Sequence, residues 1–402
     1  MKKTWTFASY LFFTVLYAVP TTAQLATTTG AAQAEATLVS NGVEVPLDSV
    51  TAARVDSIAQ LEAGRQDIIG MSLAVIKQGV IAHVGSYGYS DWENQIPVTP
   101  RSEFRWASMS KSLTAIAAMK LQEAGLLQLD TLVKAYLPYW PDTTVRVRHL
   151  LQNRSGVGHY NEMDKLYPSW KHQLKSYKPD SSWHAEAAVR VFREAPLVFK
   201  ADSSHLYSTF GFVLAGAVVD QIGQTKLGKG YLDLVQDFII DSLGLSSLRP
   251  DYFEDANPLE VKGYYKDKKG DLRARKDDDV TWKIPGGGYA SNIIDLAKYV
   301  QGLIRYRLLL PESYSTLWTP QSDWDYAMGF EVKPEGAERL VNHTGSQNKT
   351  RTVFAFYPES GLGVVVMCNT EWANPREVAM KVLDSLKPDT NTPPLPADGQ
   401  RR

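Results

Sequence analysis

Ser108 and Lys111 stand three residues apart in the run Ser108-Met109-Ser110-Lys111. From Met109 to Ala124 the residues favour helix, and Gly125 sits where a C′ glycine closes one. On a helix, residues three apart lie side by side with Cβ atoms roughly 5–6 Å apart, so the Lys111 amine can reach the Ser108 hydroxyl. A serine hydroxyl becomes an effective nucleophile only when a neighbouring base takes its proton. Lysine is ordinarily protonated and cannot be that base. Here it falls in the first turn of a helix whose Leu113, Ile116, Ala117, Leu121 and Ala124 form an apolar stripe, widened by Ala115, Ala118 and Met119. Desolvation and the positive end of the helix dipole both disfavour its charged form.

So short a pattern occurs about once by chance in a chain of this length, and a capping serine beside a snorkelling lysine fits the same four residues. A second match, Ser346-Gln347-Asn348-Lys349, runs into Thr350-Arg351-Thr352-Val353-Phe354, which reads as a strand. Residues three apart on a strand face opposite sides, so that pair is not expected to cooperate.

Other chemistries are poorly supported. The seven histidines show neither H-x-x-x-H nor H-E-x-x-H spacing, so no metal site is expected. There is no G-x-S-x-G element of an α/β-hydrolase. The single cysteine, Cys368, follows Val364-Val365-Val366-Met367 and reads as a packed thiol in a buried strand. A formal net charge of −1 over 402 residues argues against nucleic acid as a partner.

The elements that position Ser108 and Lys111 come from both chain ends. Lys2 and Lys3, the apolar run Phe7–Val19 and Thr21-Thr22-Ala23 predict an export signal over 1–23, hence a periplasmic or secreted protein with no stable membrane span after cleavage. Residues 24–45 read as a flexible lead-in, 46–387 as the folded domain and 388–402 as a frayed tail. A helix is expected over 48–64. Strands are expected over 71–76 and 80–87, around Lys77-Gln78-Gly79, and again only near the end, over 326–332, 350–357 and 363–369. Helical patterns dominate 129–244, and 377–386 closes the fold as a helix. This order predicts an α/β (α+β) fold: an antiparallel sheet built from both chain ends, flanked by helices, with an inserted helical lobe. A cleft between sheet and lobe is a natural place for a site. Tyr160, Tyr167, Trp170, Tyr177 and Trp183, interleaved with lysines, form either a flap over that cleft or a cover for the lobe.

Several blocks in order resemble the serine β-lactamase and penicillin-binding-protein superfamily, in its class C-like branch. Phe104-Arg105-Trp106-Ala107-Ser108-Met109-Ser110-Lys111 is similar to its nucleophile motif. His149-Leu150-Leu151-Gln152-Asn153-Arg154-Ser155-Gly156 resembles a turn in its helical lobe, and Tyr207-Ser208-Thr209 falls where the family has Tyr-x-Asn. Gly286-Gly287-Gly288-Tyr289-Ala290-Ser291 resembles its glycine-rich turn before a helix, and His343-Thr344-Gly345 its Lys/His-Thr/Ser-Gly strand motif. Tyr-Ser-Thr-Phe-Gly and Ser-Gly-x-x-His-Tyr are similar to the versions in mitochondrial-type members.

The resemblance implies an acyl-enzyme on Ser108, with Lys111 taking its proton and Tyr207 moving protons for the leaving group and for water. It places His343 where the family has a strand lysine. A free imidazole titrates near 6.5, so a cationic His343 would give activity that falls as pH rises and a neutral hydrogen-bond partner activity that rises; the neutral role is expected, because a fixed positive neighbour would hold Tyr207 as a weak base. The backbone N–H groups of Ser108 and Ser346 would form the oxyanion hole, each donor worth about 3–4 kcal/mol in other serine enzymes. Thr209, Thr344 and Gly345 would contact substrate, and no cofactor is implied. Thr209 in place of asparagine, and Gln347-Asn348-Lys349 beside the strand motif, depart from the family and weigh against β-lactam turnover more than against acyl transfer. The implied substrate is a small peptide-like amide, with a β-lactam or an ester as alternatives on the same site. A non-hydrolytic peptidoglycan- or penicillin-binding sensor is the alternative of another class.

Overall fold

The computed structural model describes residues 42–177, 183–252, 257–321 and 324–387. The expected signal, all but the end of the lead-in, and the tail 388–402 lie outside them. The folded part reaches back past Pro46: Val43 is buried, and the Glu44 N–H donates to the Ile81 carbonyl at 2.9 Å.

Three strands open the described chain: β1 (Gly70–Lys77), β2 (Val80–Asp91) and β3 (Ile96–Pro97). Short strands follow: β4 (Glu103–Arg105), β5 (Arg249–Pro250), β6 (Tyr264–Lys266), β7 (Leu272–Ala274) and β8 (Tyr289–Asn292). Four close it: β9 (Glu331–Glu335), β10 (Glu338–Gln347), β11 (Thr350–Tyr357) and β12 (Leu362–Cys368). The main sheet has seven strands in the order β3-β2-β1-β12-β11-β10-β9, every neighbouring pair antiparallel. Both chain ends therefore meet at its centre, where Met71 of β1 faces Cys368 of β12.

Strand side chains alternate between faces, and this sheet is covered on both. Met71, Leu73 and Val75 of β1, with Val364, Val366 and Cys368 of β12, pack in one core cluster. Ala74 and Ile76, with Val365 and Met367, pack in the other. A fully buried Val, Leu or Ile contributes about 1.5–3 kcal/mol against chain entropy. That is why these strands read as continuous apolar runs rather than alternating ones. The β1–β2 turn places Gln78 and Gly79 at φ of 54° and 72°, the geometry of a tight hairpin.

Among the described residues, five helices have twelve residues or more: α1 (Ser49–Arg65), α2 (Ser110–Glu123), α3 (Thr209–Leu227), α4 (Ile293–Ile304) and α5 (Pro375–Leu386). Val55 and Ala59 of α1 and Val378 and Val382 of α5 cover the first face of the sheet. α2 and α4 lie on the other face, continuous with the core of the lobe. Asp48 caps α1 by accepting from the Thr51 N–H at 2.9 Å. α3 is buried nearly all round, through Phe210, Phe212, Val213, Leu214, Ala217 and Val218. A Cβ at Gly216 would lie 2.3 Å from the Pro285 ring, so glycine lets α3 close onto the helical turn Ile284–Gly287.

Some sequence expectations need correction. The 326–332 strand begins only at Glu331, with Tyr326 in an isolated bridge, and Pro334 lies within the edge strand β9 rather than in a turn. Edge strands tolerate proline because one side has no ladder to break. Strands also return before the chain end, as β5 to β8. Residues 286–291 form a helical turn and then strand β8 before α4, so the glycine-rich segment does not lead directly into a helix.

Candidate active site

Ser108 lies in a 3-10 turn, Ala107–Met109, immediately before α2. The helix thus starts one residue later than the sequence suggests, and Lys111 is its second residue. Ala107 adopts φ 48°, an uncommon conformation for a residue with a side chain. The surroundings hold that turn firmly. The Trp106 N–H donates to the Tyr289 carbonyl at 2.7 Å, and its indole donates to Ser291 Oγ at 2.7 Å. From β11, Thr350 and Thr352 donate to the carbonyls of Arg105 and Trp106, each at 3.1 Å. A Cβ at Gly345 would lie 2.2 Å from the Trp106 carbonyl oxygen. Only glycine lets β10 approach the nucleophile turn this closely.

The Lys111 amine lies 3.0 Å from Ser108 Oγ, 2.6 Å from the Gly286 carbonyl oxygen and 3.3 Å from Thr209 Oγ1. None of these partners carries a charge, and Lys111 is 0% exposed. Burial drives its pKa well below the usual lysine range, and the nearby Lys283 charge pushes the same way. Its Nζ stands 4.8 Å from the centre of the Tyr207 ring. The Tyr207 hydroxyl faces Ser108, and burial raises its pKa, so the phenol stays protonated at neutral pH. Ser108, Lys111, Tyr207 and Thr209 therefore meet as one cluster. Tyr207 enters it from the segment just before α3, which Ser208 caps by accepting from Gly211 N–H at 2.9 Å.

His343 is placed differently from a cleft residue. It is 2% exposed and does not line the cavity, although its ring centre is 6.2 Å from that of Tyr207. Its Nδ1 lies 2.7 Å from the Thr344 carbonyl oxygen and so carries the proton. Its Nε2 then accepts from the Tyr326 hydroxyl at 3.2 Å. Nearby, Asn153 Oδ1 accepts from the Ser208 N–H at 3.0 Å. Burial, and then the charge of Lys111, lower the His343 pKa to about 3. The neutral ring expected from sequence is therefore kept far below neutrality, and the titration expected near 6.5 is displaced into acid.

This has a signed consequence. Between about 6.5 and 3, the unfolded chain protonates this histidine and the folded one does not. Stability associated with neutral His343 is complete above about 6.5 and is lost as pH falls towards 3. Chemical denaturation of wild type and His343→Asn between pH 7 and 4 is expected to show a shallower acid loss in the variant. The kcat/KM profiles of the two should have no differing limb between pH 6 and 8; a wild-type limb there that His343→Asn removes would contradict the assignment.

A cavity of about 480 Å³ opens beside the cluster. Ser108, Tyr207, Thr209, Thr344 and Ser346 line it, as the sequence suggests; Gly345 instead packs beneath, against Trp106. Gln347 and Asn348 add polar bulk to the wall. The second Ser-x-x-Lys pair is separated by the β10–β11 turn rather than by strand alternation, with Lys349 at φ 74° and its amine paired with Glu260 and with Asp277. Of the aromatic 160–183 segment, Tyr160 reaches the cavity, while Trp170, Tyr177 and Trp183 are buried in the core of the lobe. Trp170 packs edge-on to Phe210 at 5.4 Å.

Three cavity residues carry no role in the sequence expectations. His159, quoted there only within a motif, accepts from the Thr209 N–H through Nδ1 at 3.2 Å. Burial and then Lys111 lower its pKa to about 4. Lys283 stands three residues before Gly286, and Asp278 is salt-bridged to buried Arg105 at 2.5 Å. Their proximity comes from chain crossings that no local pattern records. Cys368 is buried, with its thiol pKa raised by that burial. Among the described residues no group of acidic, histidine or cysteine side chains could hold a metal ion, and no helix is long and apolar enough to cross a membrane.

This fold and cluster define a β-lactamase or penicillin-binding-protein type of chain, with a serine in the turn before a helix and a lysine in that helix's first turn, facing a strand edge. Residues 52–386 match the Beta-lactamase family, and the chain belongs to it. The human mitochondrial serine beta-lactamase-like protein LACTB is 26% identical over 402 aligned residues, covering 73% of this chain and 72% of that protein. The octameric penicillin-binding protein homologue of Pyrococcus abyssi superposes with a TM-score of 0.69 at 25% identity, covering 83% of this chain and 77% of the other. A class C beta-lactamase gives 0.69 at 20% identity over 86% and 99%, which speaks for the fold alone. Membership supports serine hydrolase or acyl-transferase activity.

Proposed function

We propose that this protein is an exported serine hydrolase that cleaves a peptide-like amide through an acyl-enzyme on Ser108. The observation that carries the proposal is the fully buried Lys111 amine, 3.0 Å from Ser108 Oγ and without a charged partner among its hydrogen bonds. An amine held neutral there accepts the serine proton as Oγ attacks the carbonyl. The resulting oxyanion meets the N–H groups of Ser108 and Ser346. Protonated Tyr207, facing Ser108, gives its proton to the leaving nitrogen and recovers one from the water that releases the acyl group. His343 takes no proton; it holds Tyr326 beside Tyr207, whose rings are 5.9 Å apart.

An extended substrate has a place to lie. β9 pairs only with Glu338–Asn342 of β10, so Thr344–Gln347 have no strand partner on that side among the described residues. Thr344, Ser346 and Gln347 there line the cavity. A peptide backbone added to that edge gains main-chain hydrogen bonds, the general mode of strand addition. The relatives named for penicillins and β-lactams are compatible with the same chemistry on a cyclic amide.

The test is turnover of a D-amino-acid peptide amide, a short ester and a chromogenic cephalosporin, with intact-mass detection of acyl adducts. Peptide amides are expected to give the highest kcat/KM. A stoichiometric adduct that never turns over would identify a sensor and overturn hydrolysis. Export rests on Lys2, Lys3 and the apolar run Phe7–Val19. N-terminal sequencing of the mature protein is expected to begin near Gln24, and a retained Met1 would refute it.

A further inference from the structure

The cavity wall carries few charges, and they can be counted. Lys111 is held towards its neutral form, and His159 is neutral above about 4. Asp278 is ion-paired with Arg105, which it shares with buried Asp251, and its other oxygen accepts from the Asn348 amide at 3.2 Å. Among the described residues, that leaves Lys283 as the one charged side chain lining the cavity with no ion-pair partner. Unpaired ammonium groups inside clefts are uncommon, because removing their water is costly unless something replaces it.

Lys283 is also firmly based. It ends the 3-10 turn Thr281–Lys283, two residues before Pro285 and three before Gly286, the residue that Lys111 contacts. Its neighbour Trp282 is 4% exposed, packs on Phe210 at 5.1 Å and accepts through its carbonyl from the Trp183 indole at 3.4 Å. The side chain itself remains partly exposed, with its ammonium 5.9 Å from the centre of the Tyr160 ring. A flexible charged head thus stands on a rigid stem at the wall of the reactive cavity.

We propose that Lys283 is the anion anchor of this cleft and that the substrate carries a carboxylate, which Lys283 binds while Ser108 attacks. The proposal rests on the acyl-enzyme assignment to Ser108 and adds the charge class of the substrate. His343, buried and neutral, offers no cation for this purpose. A cation here also attracts anionic substrates through the cleft field, an effect that weakens as salt is added.

Two matched pairs of esters test it on the full chain. In the first, the 4-nitrophenyl half-ester of glutaric acid is compared with its terminal carboxamide, so the charge lies on the acyl side. In the second, 3-acetoxybenzoate is compared with 3-acetoxybenzamide, so it lies on the leaving side. At least one pair is expected to favour the carboxylate by about 10- to 100-fold in kcat/KM, mostly through KM, as for one charge-assisted contact. Lys283→Gln should erase that ratio, whatever the loss of its charge beside Lys111 does to the rate on both esters, Lys283→Arg should retain most of it, and added salt should reduce it. A wild-type ratio near one in both pairs overturns the proposal. So does a ratio that survives Lys283→Gln, or a variant that slows charged and neutral esters equally, which would mean that Lys283 acts only by depressing Lys111. Labelling of Ser108 by a fluorophosphonate is followed in parallel. Its absence in wild type would sink the acyl-enzyme assignment, whereas labelling without a carboxylate preference sinks Lys283 alone.

Discussion

Ser108→Ala is expected to abolish covalent labelling by a fluorophosphonate and to lower turnover by about 10⁶-fold, the scale for loss of a serine nucleophile. The fold should survive. The substitution removes one hydroxyl at the cavity wall, while Lys111 keeps Gly286 and Thr209 as partners. The change in unfolding free energy should stay within about 1 kcal/mol. Among the described residues no other serine is equipped to substitute. Ser110 and Ser112 are fully buried beneath the helix, and Ser112 donates to the Met109 carbonyl at 2.7 Å. Ser346 lines the cavity, but the amine of its nominal partner Lys349 is tied to Glu260 and Asp277. Intact-mass analysis after exposure to the probe reads the result. An adduct of the same stoichiometry on the alanine variant would refute Ser108.

Lys111→Ala and Tyr207→Phe should each slow acyl transfer by at least about 100-fold, the lower range for lost acid–base catalysis. The loss should fall on kcat, since both groups act by moving a proton during the reaction. Lys111→Arg should not rescue the reaction. A guanidinium stays protonated under all ordinary conditions and has no lone pair to accept the serine proton. Lys111→Met separates catalysis from packing, because an apolar chain of similar length fills the same buried space, at a cost of about 1–3 kcal/mol for the Gly286 carbonyl left without its donor. It should therefore remain folded at ambient temperature and yet be as slow as the alanine variant. A raised KM with unchanged kcat in any of these would contradict the proton-transfer roles.

Local signals carried much of this architecture. The 3.6-residue stripe of α2 and the glycine after it located the nucleophile helix to within a residue, because burial on most sides leaves a plain pattern. The apolar runs of β1, β11 and β12 were equally plain. β9 was misplaced because Tyr326–Phe330 are apolar for another reason. Tyr326 packs beside His343 at 5.8 Å between ring centres, and Phe330 beside Phe354 at 5.9 Å. Strands β5 to β8, only two to four residues long, carry no detectable period. Ser108, Lys111, Tyr207, Thr209, Thr344 and Ser346 were legible as ordered blocks. Lys283 and Asp278 were not, since their place in the cavity is decided by long-range packing. The His343 titration was misjudged because a sequence does not state how completely a ring is buried.

The pairing of the first strand with the last has a temporal meaning. The turn bearing Ser108 is fixed from below by Thr350 and Thr352, and β1 is flanked by β12. A ribosome must add about 240 residues after Ser108 before those threonines exist. At about 5–20 residues per second that interval is on the order of tens of seconds. Throughout it the serine is present without the framework that makes it reactive. Contacts of such sequence separation also form slowly in the released chain. Nascent forms are thereby inert towards neighbouring amides and esters, and reactivity appears only once the last strands have joined the sheet.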